Sequence, residues 1–421
     1  MKLTAQPQVA LADEKVSISV SGLAPASKVK LSASLCLPWA PGIPLESSAW
    51  FTADAGGKVD LSTKKPESGS YGFVDGMGLI ASVMPKDQKA WGKLGEHISA
   101  EKNMFIDIRA ESGPATASLQ LERQFRSVDV KSQKSTEGIV GELYYSDQKS
   151  DKTLIVLGGS GGGLGPILPM AALLASRGFN VLALAYFQEK GLPGQLAQIP
   201  LEYFEKAFAW LAANPITKGT ELYVFGTSKG AELALLLASR YPSIHRVVVN
   251  APHAYCFQGL NFKTVSSWTY QGKDLPFIKL KNTVLFGNMI SCFLKNEPFE
   301  YAYTYRKGLA AAVNKEEARI RVENSNADLL MFTTKDCGMW NTYDGCMILM
   351  DTLRRCQYSH CYDLVVYEDA GEPYYAPYII PAGLSRARIA PRLVLSVGGT
   401  LQGNARCQAD SWQRMIEFFK K

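Results

Sequence analysis

Residues 221–232 read Glu221-Leu222-Tyr223-Val224-Phe225-Gly226-Thr227-Ser228-Lys229-Gly230-Ala231-Glu232, and Leu233 to Ala238 continue as an unbroken apolar run. Residues 221–225 have the composition of a buried strand, and residues 231–238 that of a helix. A serine between glycines at such a junction matches the strand–turn–helix context of a nucleophile elbow. The glycines let the backbone turn sharply, which lifts the Ser228 hydroxyl out of the sheet and leaves the helix N-terminus facing a developing oxyanion. The competing reading of the same residues is a tight turn without chemistry.

Working outward, apolar strands alternate with helices. Leu154–Leu157, Val181–Ala185 and Arg246–Asn250 read as strands, while Pro169–Ser176 and Leu201–Ala213 read as helices. Such alternation predicts a mostly parallel sheet covered on both faces. Trp412, Met415, Ile416 and Phe419 repeat at helical spacing, so a terminal helix is expected to dock on that sheet. The aromatic-rich segment of about 251–328 fits a cap over the carboxyl edge of the sheet, where open α/β folds bind ligands. Gly158-Gly159-Ser160-Gly161-Gly162-Gly163 follows the first core strand. In hydrolases of this fold such a loop supplies one N–H of an oxyanion hole, here from Gly159, Ser160 or Gly161, and the residue after the nucleophile, Lys229, supplies the other. Neither a dinucleotide nor a phosphate-loop pattern is clearly formed in it.

Residues 1–125 have a different character. Lys15–Val20, Lys28–Leu35 and Ala117–Leu121 alternate with strand period, separated by turn clusters such as Asp54-Ala55-Gly56-Gly57. An antiparallel, immunoglobulin-like β sandwich is expected there, followed from residue 126 by the α/β domain. The 421 residues carry a net charge of +6, 47% hydrophobic and 20% charged residues, and 8 cysteines without a C-x-x-C pair. These values fit a globular protein. They show no basic stripe for nucleic acid, no metal-binding pattern and no run able to span a bilayer. Without a signal-type N-terminal run or an S-K-L ending, a cytoplasmic, reduced compartment is expected.

Taken together, the residues resemble the acyl-CoA thioesterases and bile-acid-CoA:amino-acid N-acyltransferases. In the first domain the resemblance rests on Gly22-Leu23-Ala24-Pro25, on residues 53–61 from Ala53 to Leu61, and on Gly69-Ser70-Tyr71 through Met77-Gly78-Leu79. In the second it rests on the glycine loop, Leu174–Phe179, Leu184-Ala185-Tyr186, Leu201–Phe204 and Gly226–Glu232. It implies an α/β-hydrolase domain behind the sandwich and a covalent acyl-enzyme formed from an acyl-CoA, then passed to water or to an amino-acid acceptor. No cofactor is implied, because acyl-CoA enters as substrate. The acyltransferase branch carries Cys at the Ser228 position, so Ser228 leans toward the hydrolase branch.

The resemblance breaks where the proton acceptor belongs. Anchoring on Trp340 puts Cys337 at the position of the family's aspartate, with Asp336 one residue earlier. Glu372 stands at the family's histidine position, and Asn404 replaces a further histidine. Of the four histidines, His97 belongs to the sandwich, His245 precedes a strand and His360 precedes the strand ending near Glu372. His253 follows the Val247-Val248-Val249 strand on the same edge as Ser228, which makes it a candidate displaced base; a pocket-lining or surface histidine is the competing reading. Two ionised carboxylates cannot hydrogen-bond to each other, so Glu372 and Asp336 could not reproduce the usual chain of hydrogen bonds. Two functions follow from these residues. One is a serine acyl-CoA thioesterase or acyltransferase with an atypical set Ser228, Glu372 and Asp336. The other is a catalytically impaired protein that binds acyl or acyl-CoA ligands.

Overall fold

The computed structural model of the chain describes residues 1–87, 90, 94, 98–136, 138–372, 376–390 and 392–421. His97 and the run Pro373 to Tyr375 lie outside the described residues.

The N-terminal region forms two sheets. Lys2–Gln6, Ser17–Ser21 and Val59–Asp60 make the smaller. The larger is built on Lys28–Leu37, Ala40–Thr52, Met104–Ser112 and Ala115–Gln124. Along Lys28–Leu37 every second residue is buried, from Val29 to Leu37, while the intervening Lys and Ser side chains face outward. That period-two pattern makes a one-faced strand, and the two inner faces share one core containing Val20, Val29, Phe51 and Ile106. One pairing departs from the antiparallel expectation: Val9–Leu11 runs parallel to Glu122–Gln124 at the sheet edge.

The second region is an eight-stranded sheet. Its strands are β1 (Val130–Lys134), β2 (Val140–Ser146), β3 (Lys152–Leu157), β4 (Asn180–Ala185), β5 (Glu221–Thr227), β6 (Ile244–Asn250), β7 (Asp328–Thr334) and β8 (Tyr362–Tyr367). The order is β1-β2-β4-β3-β5-β6-β7-β8, antiparallel at β1–β2 and β2–β4 and parallel elsewhere. The mostly parallel sheet is the one expected from the alternating strands and helices, and the arrangement is the α/β-hydrolase class that the resemblance implied. β3 shows how the two faces are filled. Leu154 and Val156 join a cluster with Leu173, Trp412 and Phe419, whereas Ile155 and Leu157 join one with Phe204, Leu235 and Leu353. The C-terminal helix is longer than its apolar spacing suggested, spanning Leu401–Lys420, because the Thr400 side chain caps it by accepting from Gly403 N–H. Among the described residues no helix is long and apolar enough to cross a membrane.

Between β6 and β7 the chain leaves the sheet. It adds Trp268–Tyr270 and Lys273–Asp274, which form a small sheet with Ile199–Pro200 from between β4 and β5, then helices Asn282–Lys295 and Tyr301–Ala311. Ser228, Asn250, Thr334 and Glu372 all follow or end strands at the carboxyl edge of the sheet, beside this excursion.

A buried charge ties the two regions together. Asp13 accepts from Arg177 Nη2 at 2.6 Å and from Trp412 Nε1 at 2.8 Å, joining the N-terminal region to both sides of the second sheet's helical layer. The Asp13 side chain is 1% exposed. Asp13→Ala leaves the indole N–H without its acceptor and the Arg177 guanidinium with Glu14 alone, at 3.1 Å. The expected loss is about 3 kcal/mol of unfolding free energy, read from chemical denaturation, with Asp13→Asn recovering part of it through the Trp412 bond.

Candidate active site

Ser228 sits between the end of β5 and helix Lys229–Ala238 with φ 53° and ψ −119°. This conformation is costly for a residue with a side chain and persists only where the surroundings impose it. Two glycines make it accessible. A Cβ on Gly226 would lie 2.2 Å from Gly230 O, and one on Gly230 would lie 2.4 Å from Gly158 O and 2.5 Å from Leu157 O. The elbow and the glycine loop therefore touch backbone to backbone. The Ser228 N–H donates to Asn250 O at 2.9 Å, which ties the turn to the end of β6.

Gly159 packs directly on the serine, since a Cβ there would stand 3.1 Å from Ser228 Cβ. Gly159, Ser160 and Gly161 line the same cavity as Ser228. The loop is held from behind by Tyr186, whose hydroxyl donates to Gly158 O. Lys229 is the first residue of the elbow helix, where backbone N–H groups have no intrahelical acceptor. Its side chain turns inward instead of reaching a ligand. Lys229 Nζ is 2.7 Å from both oxygens of Glu232, and Glu232 also accepts from Trp268 Nε1 at 2.7 Å. Both side chains are almost wholly buried. Burial pushes the Glu232 carboxyl up, and the Lys229 charge pulls it back.

Glu372 reaches the serine from the far edge of the sheet, on the loop after β8. Its backbone neighbour Gly371 is fixed from two sides: Thr334 Oγ1 donates to Gly371 O at 2.7 Å, and Gly371 N–H donates to Asn404 Oδ1 at 2.9 Å. Asn404 is itself buried and donates to Ala382 O. Asn404, at the position of a family histidine, is thus a support of the Glu372 loop. Burial pushes the Glu372 carboxyl up to about 7, while hydrogen bonding from Ser228 and from Cys337 acts in the opposite direction. Cys337 Sγ lies 3.5 Å from Glu372 Oε2. Burial first, then the Glu372 charge, raises the Cys337 thiol well above its ordinary value, so it stays protonated and able to donate.

Two of the expected participants stand elsewhere. Asp336 is exposed, and its carboxylate accepts from Gly399 N–H at 2.9 Å, away from Glu372. Consecutive residues leaving a strand point in opposite directions, so Cys337 faces Glu372 and Asp336 does not. His253 is fully buried among aromatic rings, 4.8 Å from Phe257 and 5.8 Å from Trp340. Neither ring nitrogen has a hydrogen-bond partner, so neither contacts the Ser228 hydroxyl. Burial, with Lys229 adding to it, drives His253 down to about 3, which keeps it neutral. It packs the aromatic layer and is no base for Ser228.

Two cavities meet at Ser228 and share Ser160 and Met339. One, of about 380 Å³, is bounded by the glycine loop, Ile167, Met170, Glu372 and Leu384, with Leu94 and Ile98 contributed by the N-terminal region. The other, of about 310 Å³, lies under the helices between β6 and β7 and is lined by Leu280, Leu285, Tyr301, Tyr305 and Trp340. Leu94 and Ile98 carry no pattern that sequence reading could have used. Cys337 did carry one, since it held the aspartate position in the Trp340 anchoring.

Two family models match this chain. The family described as "BAAT / Acyl-CoA thioester hydrolase C terminal" matches residues 199–421, and "Acyl-CoA thioester hydrolase/BAAT N-terminal region" matches residues 13–137. Acyl-coenzyme A amino acid N-acyltransferase 1 of Mus musculus is 30% identical, covering 100% of this chain and 97% of the relative. Bile acid-CoA:amino acid N-acyltransferase of Mus musculus is also 30% identical, with the same shares covered. Acyl-coenzyme A thioesterase 5 of Mus musculus is 28% identical over 97% of this chain and 93% of the relative.

Removing Glu232 isolates the buried Lys229 ammonium directly beneath the elbow. Glu232→Ala is expected to cost about 3–5 kcal/mol in urea unfolding. Lys229→Met with Glu232→Leu, which removes both charges, should recover most of that stability, because the isolated charge is what destabilises.

Proposed function

Because this chain belongs to the acyl-CoA thioester hydrolase and bile acid-CoA:amino acid N-acyltransferase family, we propose that it cleaves acyl thioesters through a Ser228 acyl-enzyme, with Glu372 as the base. The observation that carries this reading is that Glu372 lines the same cavity as Ser228, with its carboxyl pushed up to about 7 and Cys337 Sγ 3.5 Å from its Oε2. A carboxylate with an ordinary acidity is a poor proton acceptor at neutral pH, but one tuned near 7 approaches the basicity of imidazole.

Cys337 suits this role better than an aspartate. An Asp beside Glu372 would place two negative charges together and raise one of them further, whereas a neutral thiol donates a hydrogen bond and adds no charge. The paired change at both positions keeps a base–orienter couple while changing its chemistry. In the forward step, Ser228 Oγ attacks the thioester carbonyl carbon as its proton passes to Glu372. The oxyanion is held by the Lys229 N–H and by the Gly159–Gly161 loop. Collapse expels the thiolate, which takes the proton back from Glu372, and leaves the acyl group on Ser228. Water then attacks the ester, with Glu372 again taking a proton. An amine acceptor could enter by the same route.

The sign of the pH dependence follows from the base. Only ionised Glu372 can accept the proton, so the acylation rate is expected to rise with pH through about 7 and level above it. Single-turnover release of thiol from an acyl-CoA would read this directly, alongside labelling of Ser228 by a fluorophosphonate. Glu372→Gln should remove the pH-dependent rise and lower the rate by about 10²–10⁴-fold. Absence of both thiol release and labelling in the unaltered protein would favour a binding function.

Stability moves the other way. The folded pKa lies above the ordinary 4.5, so folding favours the protonated form. Stability is therefore full below about 4.5 and falls as pH rises to about 7. Glu372→Gln should unfold at a higher temperature than the unaltered protein above pH 7, with the difference vanishing in acid.

A further inference from the structure

Helix Asn282–Lys295 turns an apolar stripe to solvent. Phe286, Ile290, Phe293 and Leu294 recur at i, i+4, i+7 and i+8 and are 48%, 60%, 43% and 76% exposed. Phe262, itself 65% exposed, stacks on Phe286 with ring centroids 6.1 Å apart and extends the stripe beyond the helix. Single exposed apolar residues are ordinary, but a contiguous set on one helix face marks an interaction surface. The helix already uses another face for the fold: Cys292 is buried there, and Leu285 and Met289 pack against the cluster of Phe299 and Leu393.

The surrounding charge selects the partner. Lys263 adjoins Phe262, Lys281 precedes the first turn and Lys295 adjoins Leu294, and all three are exposed. Among the described residues none of these lysines is in an ion pair. Between residues 258 and 297 there are five lysines, at 263, 273, 279, 281 and 295, against Asp274 and Glu297, which leaves the segment at +3. An apolar stripe bordered by unpaired lysines has the chemistry of a helix lying in a lipid–water interface, its aromatic and aliphatic side chains among the acyl chains and its ammonium groups at anionic headgroups.

We propose that this helix docks the protein on an anionic lipid surface. Phe262, Asn282 and Leu285 also line the cavity that ends at Ser228, so docking places that cavity's mouth at the interface. A long-chain acyl thioester is itself an amphiphile and would enter from the lipid side. The docking stands on the surface alone; only this last consequence rests on the reading of Ser228.

Co-sedimentation of the full chain with phosphatidylcholine vesicles, and with vesicles of equal parts phosphatidylcholine and phosphatidylserine, tests it. Binding is expected mainly to the phosphatidylserine vesicles and should weaken as salt is raised. Ile290→Glu with Leu294→Glu should lower vesicle binding roughly tenfold or more. Lys263→Ala, Lys281→Ala and Lys295→Ala together should reduce binding to the level seen with phosphatidylcholine alone. All five positions are exposed, and an unchanged thermal midpoint confirms that the fold is retained. Failure to sediment with either vesicle, or binding unaffected by the acidic pair, overturns the proposal. So does a concentration-dependent dimer in light scattering that the acidic pair abolishes, since the stripe then belongs to a second copy. Fluorophosphonate labelling of Ser228 in the same preparations is independent of lipid, so loss of docking and loss of the serine chemistry are read separately.

Discussion

The site depends on a steric constraint more than on any single strong bond. The elbow helix enters so close under the glycine loop that Gly230 faces the carbonyls of Leu157 and Gly158 with no room for a methyl group. Three consequences share that contact. Ser228 is held at a positive φ, the first N–H groups of the helix are brought beside the loop, and the ends of β3 and β5 are locked in register. A larger residue at position 230 would push the elbow helix away from the glycine loop. The strain at Ser228 is offset by burial on both faces of the sheet, where β3, β4 and β5 contribute almost uninterrupted apolar side chains.

Electrostatics around the serine are arranged in two layers of opposite character. Beneath it, Lys229 and Glu232 neutralise one another in a fully buried pair, with the Trp268 indole completing the carboxylate's hydrogen bonds. A pair of this kind contributes little net stability relative to apolar residues, but it fixes the geometry of the first helical turn. Above the serine, Glu372 is partnered by neutral donors, whose hydrogen bonds offset only part of the cost of burying its charge. The acidity of the two glutamates differs in meaning for that reason. Glu232 is compensated and structural, whereas Glu372 is poised to exchange a proton near neutrality.

Much of this was legible in the residues themselves. Ser228, its flanking glycines and the loop from Gly158 announced themselves because backbone geometry restricts which residues can stand there. The strands and helices of the second region followed from periodicity, and so did the alternation in Lys28–Leu37. Side-chain direction was harder. His253 lies at the correct sheet edge, but the edge fixes only where a Cα falls, and the imidazole turns into the aromatic layer of Phe257 and Trp340. Asp336 was favoured by chemistry because it is a carboxylate; one residue of register decides that Cys337 faces Glu372 instead. Asn404 reads as a lost histidine in sequence, and only the fold reveals that both ends of its amide hold the Glu372 loop and its neighbour.

The two regions of the chain are joined by more than a linker. Leu94 and Ile98 form part of the cavity wall at Ser228, and a Cβ on Gly165 would meet Ile98 O at 3.1 Å, so this segment rests on the backbone that follows the glycine loop. The buried Asp13 anchors the same relation from the opposite side through Arg177 and Trp412. A shift of the N-terminal region would therefore change the shape of one cavity while leaving the other, under the helices between β6 and β7, intact. Because both cavities end on the same hydroxyl, the acyl and leaving portions of the proposed thioester substrate would occupy separate walls. The first takes Leu94 and Ile98 from the N-terminal region, and the second takes Leu285 from a helix whose outer face is uncovered.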